Sequence, residues 1–525
     1  MNRYCFFALL LSYAPECTGV RKEVETEDPP YPGPDALKPR IHLSPDCLHV
    51  GGWHDMAAAL THEGVHHAFQ GCPASGGWSH STSTDLVHWK TVGIDVHTLS
   101  ELYQGMESDD SPCSGFMTVD DDGTPCAGFR QCSSSSGTTG LNPAAHAWDV
   151  PMELRCARDE DRVTNFSDPI WMYPVYFYRA LPYDPVRPWK DRDGKWYSAY
   201  STDGCNATTK QVPCAAGGQL ELLVSDSLRG GEWTQLAPMF TTNTTMSGRL
   251  KETGSVTREF VTSGYFGNLP GDPAGGSTRV VTQNNFKPTF WVGTQANGST
   301  FEAMWDKVGA VGHYDYGSLT MARTLGGDVN QVVGGGRKVL IGWIGGGSPA
   351  SQSLARDLSL SNDYELLQQF VPELKSLRIA GSKRETSSGL ATNGSLQMEI
   401  YATFSCFLKP TQAFGVRFSN GSTSTFELSI DCTEGREEAP CMAHAANDAG
   451  PILPVGATTF SLHAIVDHQI VESIFNNRTA IVSYLGTSTM GPSSFSDVEL
   501  FGVEAGSGVT ANLSAWSLRG ANNKL

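Results

Sequence analysis

The chain has 525 residues and a formal net charge of −18, with 39% hydrophobic and 10% aromatic residues. This length exceeds the usual size of one hydrophobic core, so two domains are expected. The apolar content excludes a disordered chain. The acids are spread along the sequence without any basic cluster that could neutralise a phosphate backbone, which argues against a nucleic acid as partner.

The first residues have the character of a secretion signal. Arg3 precedes the apolar run FFALLL at 6–11, which is too short to span a bilayer but suits the core of a signal peptide. We therefore expect residues 1–18 to be a signal peptide and the mature protein to be extracellular. No later part of the sequence has the ~18 apolar residues of a membrane helix, so no membrane partner is expected.

Thirteen cysteines lack paired C-x-x-C metal spacing, which in a secreted chain favours disulfides. Three neighbouring pairs are spaced to close small loops, although spacing does not fix the pairing: Cys126/Cys132, Cys205/Cys214 and Cys432/Cys441. Eight N-x-S/T sequences agree with a glycosylating route, at Asn165, Asn206, Asn243, Asn297, Asn393, Asn420, Asn477 and Asn512.

Short β-rich runs separated by turn signals repeat from residue 40 to 375, and no long stretch has apolar residues at helical spacing. The dipeptides at 63–64, 122–123 and 193–194, which are Glu-Gly, Asp-Gly and Asp-Gly, suit hairpin turns of type I′, where both central residues need positive φ. So many hairpin strands are more than one sandwich usually holds. The pattern predicts a β-propeller over residues 40–375.

The sequence changes character between residues 352 and 378, where it becomes Leu-rich, charged and weakly helical, as expected of a junction. Strand-like runs then follow with the spacing of a β-sandwich, at 397–408, 413–418, 425–431, 461–475 and 479–485. The prediction is therefore an all-β chain whose second domain is a C-terminal β-sandwich over residues 385–525.

Four short motifs near the start of the propeller region occur in a fixed order. They are GWHDMAAAL at 52–60, HAFQ at 67–70, WSH at 78–80 and STDLVHW at 83–89. Here the chain resembles glycoside hydrolase family 32, the invertases, inulinases and fructosyltransferases, which open with W-M-N-D-P-N-G, H-L-F-Y-Q and W-G-H-A-x-S-x-D-L-x-H-W.

The resemblance implies a five-bladed propeller followed by a sandwich, and it assigns roles to four residues. Asp55 takes the place of the catalytic nucleophile, and Gln70 and Trp78 take places that contact the sugar. His54 stands beside the nucleophile where the family has Asn, and we expect it to bind substrate.

A second motif, YDP at 183–185 ahead of DGKWY at 193–197, resembles the family's R-D-P and D-G-x-W-Y. The resemblance implies that Asp184 stabilises the oxocarbenium-like transition state by binding sugar hydroxyls. Tyr183 replaces the family's arginine and is expected to contact substrate. The loss of that cation bears on substrate affinity or subsite preference.

The third carboxyl should be the acid/base, which in the family is the Glu of an E-C-P motif. Glu259 fits best because of its spacing to FWVG at 290–293, which resembles the family's Y-x-x-G strand; Glu252 is the competitor. A protonated role at neutral pH requires burial or a nearby carboxylate to raise the pKa of the acid.

Further segments extend the resemblance along the chain. They are YDYGS at 314–318, GRKVLIGW at 336–343, LARDL at 354–358 and DHQIVESIF at 467–475, the last resembling V-D-x-S-x-x-E-x-F of the family's sandwich. Asp315 in the first of these is either a sugar ligand or a structural bridge between blades.

Retaining hydrolysis needs two carboxyl groups roughly 5 to 5.5 Å apart, one ionised to attack and one protonated to donate. Both proton transfer and nucleophile come from carboxyls, so neither a cofactor nor a metal is expected. Zinc at His62 and His66 is a rival, but their i, i+4 spacing suits a helix, and residues 63–64 indicate a turn between strands.

The resemblance thus implies an enzyme that releases terminal β-D-fructofuranosyl units from sucrose or fructans through a fructosyl-enzyme intermediate, and the signal peptide predicts that it is secreted. A fructosyltransferase is the nearest alternative, because a sugar can replace water as the acceptor. A non-catalytic carbohydrate-binding relative and a five-bladed arabinan or xylan hydrolase remain further alternatives.

Overall fold

The computed structural model describes residues 39–44, 54–72, 77–92, 110–133, 152–158, 166–167, 170–172, 183–202, 219–241, 262–283, 288–296, 298–325, 336–345, 351–387, 390–391, 395–407, 410, 412–419, 425–433, 441–485, 495 and 497–521. Leu37–Leu525 forms one unit. Met1–Ala36, which contains the predicted signal peptide, lies outside the described residues.

The first part of the chain forms five separate antiparallel sheets. The first two sheets each have four strands that are neighbours in chain order. Their strands are β1 (His54–His62), β2 (Val65–Cys72), β3 (Gly77–Ser83) and β4 (Lys90–Thr91), then β5 (Asp110–Val119), β6 (Pro125–Ser133), β7 (Met152–Cys156) and β8 (Ile170–Trp171).

The third, fourth and fifth sheets each have five strands. The third sheet contains β9 (Tyr183–Lys190), β10 (Trp196–Thr202), β11 (Gln219–Ser225), β12 (Thr234–Gln235) and β13 (Phe240–Thr241). The fourth contains β14 (Thr262–Gly267), β15 (Thr278–Gln283), β16 (Thr289–Thr294), β17 (Glu302–Ala303) and β18 (Val311–His313). The fifth contains β19 (Leu319–Leu325), β20 (Lys338–Ile344), β21 (Ser351–Gln352), β22 (Arg356–Leu360) and β23 (Leu366–Phe370).

The first strands of these five sheets contact one another in a closed circuit. Strand β1 contacts β5, β5 contacts β9, β9 contacts β14, β14 contacts β19, and β19 returns to β1. Each neighbouring pair of sheets also shares one cluster of buried apolar side chains, including the fifth sheet with the first. The sheets therefore pack face to face in sequence, and burial of these faces supplies the main favourable energy.

The rest of the chain, after a short 3-10 helix at Pro372–Leu377, forms two six-stranded sheets. One has the order β24 (Arg384–Thr386), β35 (Val509–Ser517), β26 (Gln397–Cys406), β31 (Thr459–Asp467), β32 (Ile470–Phe475) and β33 (Thr479–Tyr484). The other has the order β25 (Leu390–Ala391), β34 (Asp497–Phe501), β27 (Phe414–Ser419), β28 (Thr425–Asp431), β29 (Cys441–Ala445) and β30 (Asp448–Ile452).

The two six-stranded sheets share one core. Buried residues of both sheets form a single apolar cluster, to which Ile400 and Leu462 contribute from one sheet and Val416 and Leu428 from the other. Inward positions alternate with outward ones along β35, as two-sheet packing requires. The all-β prediction is confirmed for the described residues, in which no helix is long and apolar enough to cross a membrane.

Two local predictions were wrong. At Asp122-Gly123 and Asp193-Gly194 only the glycine has positive φ, because each closes a longer loop in which Gly123 or Gly194 donates to the carbonyl of Asp120 or Asp191. The prediction is confirmed at residues 63–64, where both φ values are positive. The run at 461–475 is two strands, since a turn at His468 (φ 58°) separates β31 from β32.

Two disulfides lie in the described part of the chain. Cys432 pairs with Cys441, as one of the suggested neighbours. Cys126 pairs with Cys156 and not with Cys132, because β6 and β7 place the first two directly opposite each other. The suggested pair Cys205/Cys214 lies outside the described residues.

Candidate active site

Each of the five first strands departs from regular pairing near its start. The first register shift along each strand falls between His54 and Met56 in β1, Pro112 and Gly115 in β5, Tyr183 and Pro185 in β9, Thr262 and Gly264 in β14, and Thr320 and Arg323 in β19. Such bulges bend a strand and redirect side chains, and they are common next to active sites.

Asp55 is the extra residue of the bulge in β1. His54 pairs with Gly71 and Met56 with Gln70, so two steps along β1 match one step along β2, and Asp55 has no partner in this ladder. A regular strand would place Asp55 on a face fixed by alternation, whereas the bulge frees its direction from that rule.

Asp184 occupies the same position in β9. Tyr183 pairs with Ser201 and Pro185 with Tyr200, so Asp184 is again the extra residue between two ladder pairs. The two acids that the motifs nominate therefore lie at matching irregularities, at the starts of the first strands of the first and third sheets.

Most of the predicted catalytic groups lie outside the part of the chain whose side chains the structure describes. These are the side chains of His54, Asp55, Tyr183 and Asp184, and the whole of Glu252 and Glu259. Their chemical roles stay predictions, and the structure adds the backbone positions of the first four.

Gln70 is fully buried in β2, opposite Met56. Its Nε2 donates to Oε1 of Gln352 at 2.9 Å, which joins the first sheet to the fifth. Its own Oε1 has no hydrogen-bond partner among the described residues. The amide therefore has a structural contact and one remaining acceptor, and its role as a sugar contact stays a prediction.

Trp78 packs within and between the first two sheets. Its ring lies 5.9 Å from that of Phe69 and 5.6 Å from that of Phe129, centroid to centroid, with an edge-on arrangement in the second case. Only 1% of Trp78 is exposed. Trp78 therefore packs in the core between the two sheets, and its role as a sugar contact stays a prediction.

Asp315 is a bridge to the sandwich. One carboxylate oxygen accepts hydrogen bonds from the backbone N–H groups of Gly317 and Val482, and the other lies 3.0 Å from the guanidinium of Arg356. Asp315 is completely buried, and Val482 belongs to β33. The contacts are those of a structural bridge, which reaches the fifth sheet through Arg356 and the sandwich through Val482. The role of Asp315 as a sugar ligand stays a prediction.

Asp315 is one member of a larger buried network. Arg356 also donates to Oε2 of Glu472 at 2.7 Å, while Oε1 of Glu472 accepts from the backbone of Leu354 at 2.7 Å and lies 3.1 Å from Nε2 of His42. The side chains of Arg356, Glu472 and His42 are fully buried. Charges taken out of water in this way require close partners on every side.

Asp467 completes the network. Its carboxylate accepts backbone N–H groups of Arg40, Ile41 and His42, and it lies 2.8 Å from Nδ1 of His42 and 2.9 Å from Nδ1 of His468. We call Asp315, Arg356, Glu472, His42 and Asp467 the buried joint. Its hydrogen bonds connect residues 40–42 and the fifth sheet with the hairpin of β31 and β32.

The electrostatics of the buried joint keep its groups charged. Burial alone lowers the pKa of His42, but hydrogen bonds and charges from Asp467 and Glu472 outweigh it and raise the pKa to about 9. Burial raises the pKa of Asp315 to about 6, against the opposing charge of Arg356. His42 is therefore an imidazolium at neutral pH and donates through both ring nitrogens.

The histidines of the first sheet form a neutral pair. Nδ1 of His67 lies 2.9 Å from Nε2 of His80, and Phe69 stacks on His80 at 4.3 Å. Burial lowers the pKa of His67 to about 4 and that of His80 well below its ordinary value. In the described ranges no group of three or more His, Cys, Asp or Glu side chains could hold a metal ion.

Two residues around the bulge in β1 were missed from the sequence. Gln352 bonds Gln70, and Arg323 of β19 donates to the carbonyl of Ala57 at 3.4 Å. Both come from the fifth sheet, distant in sequence from β1. Gln352 and Arg323 reach the bulge of β1 only because the circuit of sheets closes, and no local sequence motif indicates this contact.

Comparison with solved structures finds the same fold in enzymes that act on fructosyl sugars. Fructan 1-exohydrolase IIa from Cichorium intybus has a TM-score of 0.67 and 15% identity over 92% of this chain and 98% of its own. Exo-inulinase from Aspergillus awamori has a TM-score of 0.69 and 16% identity over 92% and 99%. Sucrose-6-phosphate hydrolase from Lactobacillus gasseri has a TM-score of 0.65 and 14% identity over 93% and 94%.

No family model matches the chain, and no curated protein matches it by sequence. The likeness to the solved structures therefore confirms at the level of fold the resemblance read from the motifs. Identities near 15% show a shared architecture, and activity has to be argued from the site.

Proposed function

We propose that this protein is a retaining glycoside hydrolase of the family 32 type, which releases terminal β-D-fructofuranosyl units from sucrose or fructans. The fold likeness to a fructan exohydrolase, an exo-inulinase and a sucrose-6-phosphate hydrolase, over more than nine-tenths of each chain, supports this class. The motifs between residues 52 and 89 point to the same class independently of the fold.

We infer that the five sheets are the blades of a propeller. The closed circuit of first strands and the apolar clusters between successive sheets support this arrangement. In a propeller the innermost strands surround a central channel. Because the five sheets repeat one meander, the bulged starts of their first strands would open on the same side of that channel.

One observation carries the catalytic assignment. Asp55 and Asp184, which the motifs nominate, are the extra residues of bulges in β1 and β9. Two matches to a three-letter motif would be weak alone, since Asp is frequent in turns. It is far less expected by chance that both nominated acids lie at bulges in equivalent positions of two different sheets. A bulge also releases a side chain from the alternation of its strand, so both acids can face the channel.

The proposed reaction proceeds in two steps. Asp55 attacks the anomeric carbon of the fructosyl unit, and the bond to the leaving oxygen breaks as Glu259 gives that oxygen its proton. The fructosyl-enzyme then reacts with a water molecule, whose proton returns to Glu259 as the bond to Asp55 breaks. Asp184 binds hydroxyls of the same sugar and favours the charged transition state.

The departures from the family motif define the main rivals. His54 and Tyr183 stand where the family has Asn and Arg, and they favour either altered acceptor choice or loss of turnover. A fructosyltransferase would use the same intermediate, so only the products distinguish it from a hydrolase.

The test is product analysis with matched variants. The secreted protein is incubated with sucrose, inulin, levan and arabinan, and free fructose, lengthened chains and arabinose are measured. We expect free fructose from sucrose or a fructan, and its loss in Asp55→Asn and Asp184→Asn. Asp193→Asn is the control, because Asp193 lies in an exposed turn of the same motif region.

Lengthened chains would favour the transferase. Arabinose alone, or no product from wild type, would overturn the proposal. Activity retained in Asp55→Asn would remove Asp55 from the mechanism.

We also propose that the protein is secreted, with residues 1–18 removed, and carries N-linked glycans. Two of the acceptor residues lie in the described ranges and both are exposed: Asn477 in the turn between β32 and β33, and Asn512 on β35. Expression in a eukaryotic secretory host, followed by N-terminal sequencing and enzymatic deglycosylation, tests this. An intact Met1 or an unchanged mass after deglycosylation would contradict it.

A further inference from the structure

We propose that Arg323 is a positioning residue, which fixes the bulge of β1 and thereby the direction of Asp55. This inference rests on the proposed function and adds a further residue to the same site. It concerns a side chain that no motif nominated.

The geometry brings Arg323 to the bulge from the neighbouring sheet. Strand β19, which carries Arg323, contacts β1. The Arg323 side chain is buried, with 6% of the residue exposed, and its Nε donates to the carbonyl oxygen of Ala57 at 3.4 Å. Since the guanidinium is always charged, its burial beside β1 demands acceptors of this kind.

Ala57 is the second extra residue of β1. Met56 pairs with Gln70 and Ala58 with Phe69, neighbours on β2, so Ala57 lies outside the regular ladder just as Asp55 does. Side chains alternate between faces along a strand, so the loss of one extra residue from the pairing would send every preceding side chain to the opposite face. A donor that holds the Ala57 carbonyl therefore controls where Asp55 points.

The strand that presents Arg323 is itself irregular. Its register shifts between Thr320 and Arg323, and Met321 between them has a φ of +44°. A non-glycine residue in that region is strained and persists where the surroundings enforce it, often at functional sites. The bulge in β19 thus aims Arg323 at the bulge in β1.

Arg279 offers a matched control. It is also buried, with 3% exposed, and its Nη1 donates to the carbonyls of Gly276 and Thr278. Both acceptors belong to the loop and strand that carry Arg279, in the fourth sheet. Its removal should reduce stability without affecting β1.

The experiment compares Arg323→Met, Arg323→Lys and Arg279→Met for kcat and KM on the best fructosyl substrate, together with Tm. We expect Arg323→Met to lower kcat on the order of 10²-fold, the effect of misplacing a reacting group by about 1 Å. Arg323→Lys keeps one charged donor and should recover roughly tenfold of that loss. Arg279→Met should keep kcat within about twofold at a comparable loss of Tm.

Two results would overturn the inference. One is a loss of kcat in Arg323→Met no larger than in Arg279→Met, and the other is the absence of any recovery in Arg323→Lys. If wild type is active and Asp55→Asn inactive, either result removes the role of Arg323 alone. If wild type releases no fructose from any substrate, the proposed function fails and the inference fails with it.

Discussion

The acids of the buried joint and the acids at the bulged starts of β1 and β9 lie in strands that are paired differently. In the joint, Asp467 and Glu472 lie on a hairpin with regular pairing, and hydrogen bonds and ion pairs surround their carboxylates. Asp55 and Asp184 instead lie where the ladder is broken. The motifs match the family at both places, so a motif match alone does not separate a structural acid from a proposed catalytic one. The two groups differ in the pairing of the strands that carry them.

The largest effect on kcat is expected when a proposed catalytic acid is replaced and the result is compared with replacement of an acid in the buried joint. Asp55→Asn should lower kcat by on the order of 10⁴-fold with little change in Tm, because it removes a nucleophile and no described structural contact. Asp315→Asn should lower Tm and leave the kcat of the folded protein nearly unchanged, since Asp315 binds Gly317, Val482 and Arg356. Parallel kinetics and calorimetry measure both, and a reversed pattern would show that Asp315 is the catalytic acid of the two and Asp55 the structural one.

The acid/base assignment should give the next largest effect. Glu259→Gln should lower kcat by about 10³-fold, within the range of general acid catalysis, and should remove the alkaline limb of the pH profile. Glu252→Gln is the matched variant and should remain within about threefold of wild type. The opposite ranking would transfer the role to Glu252.

Breaking the buried joint should cost stability. Arg356→Met leaves Asp315 and Glu472 buried without their cation, so the free energy of unfolding should fall by about 3 to 5 kcal/mol. Arg417, about one-third exposed and paired with Glu427 and Glu499, is the control. Arg417→Met should cost less than about 1 kcal/mol, as exposed pairs do. If denaturant unfolding shows equal losses of the free energy of unfolding for the two variants, the buried joint stabilises the protein no more than an exposed ion pair does.

The smallest effect concerns pH. His42 has a pKa raised from 6.5 to about 9, so its stabilising contribution is complete below pH 6.5 and is lost as pH rises through 9. The free energy of unfolding should fall by on the order of 2 to 3 kcal/mol over that window, and His42→Gln should be less stable and nearly flat there. A wild-type curve that rises between pH 6.5 and 9 would contradict the charged state of His42.

The fold was more predictable than the site. Alternation in segments such as 414–419 and 425–431 gave strands directly, because one face of each is buried in the sandwich. Strands β29 and β30 were missed, since 441–452 is rich in Ala, Gly and Pro, which have low β propensity. The turn at His468 was missed for want of any Gly or Pro signal.

The site depends on relations between strands, and a single sequence does not contain them. A bulge is a mismatch between partners, so Asp55 and Ala57 become extra residues only once the register with β2 is known. Arg323 reaches β1 only because the circuit of sheets closes. The pairing of Cys126 with Cys156 depends likewise on the register of β6 and β7.

In the proposed reaction, Asp55 forms a covalent bond to the substrate's fructosyl unit. Wild-type protein is quenched in acid during turnover of sucrose, digested, and analysed by peptide mass spectrometry. We expect a mass increment of one fructosyl unit on the peptide that contains Asp55, absent in Asp55→Asn. A labelled peptide elsewhere, or no label on any peptide while fructose is released with inversion of the anomeric carbon, would contradict it.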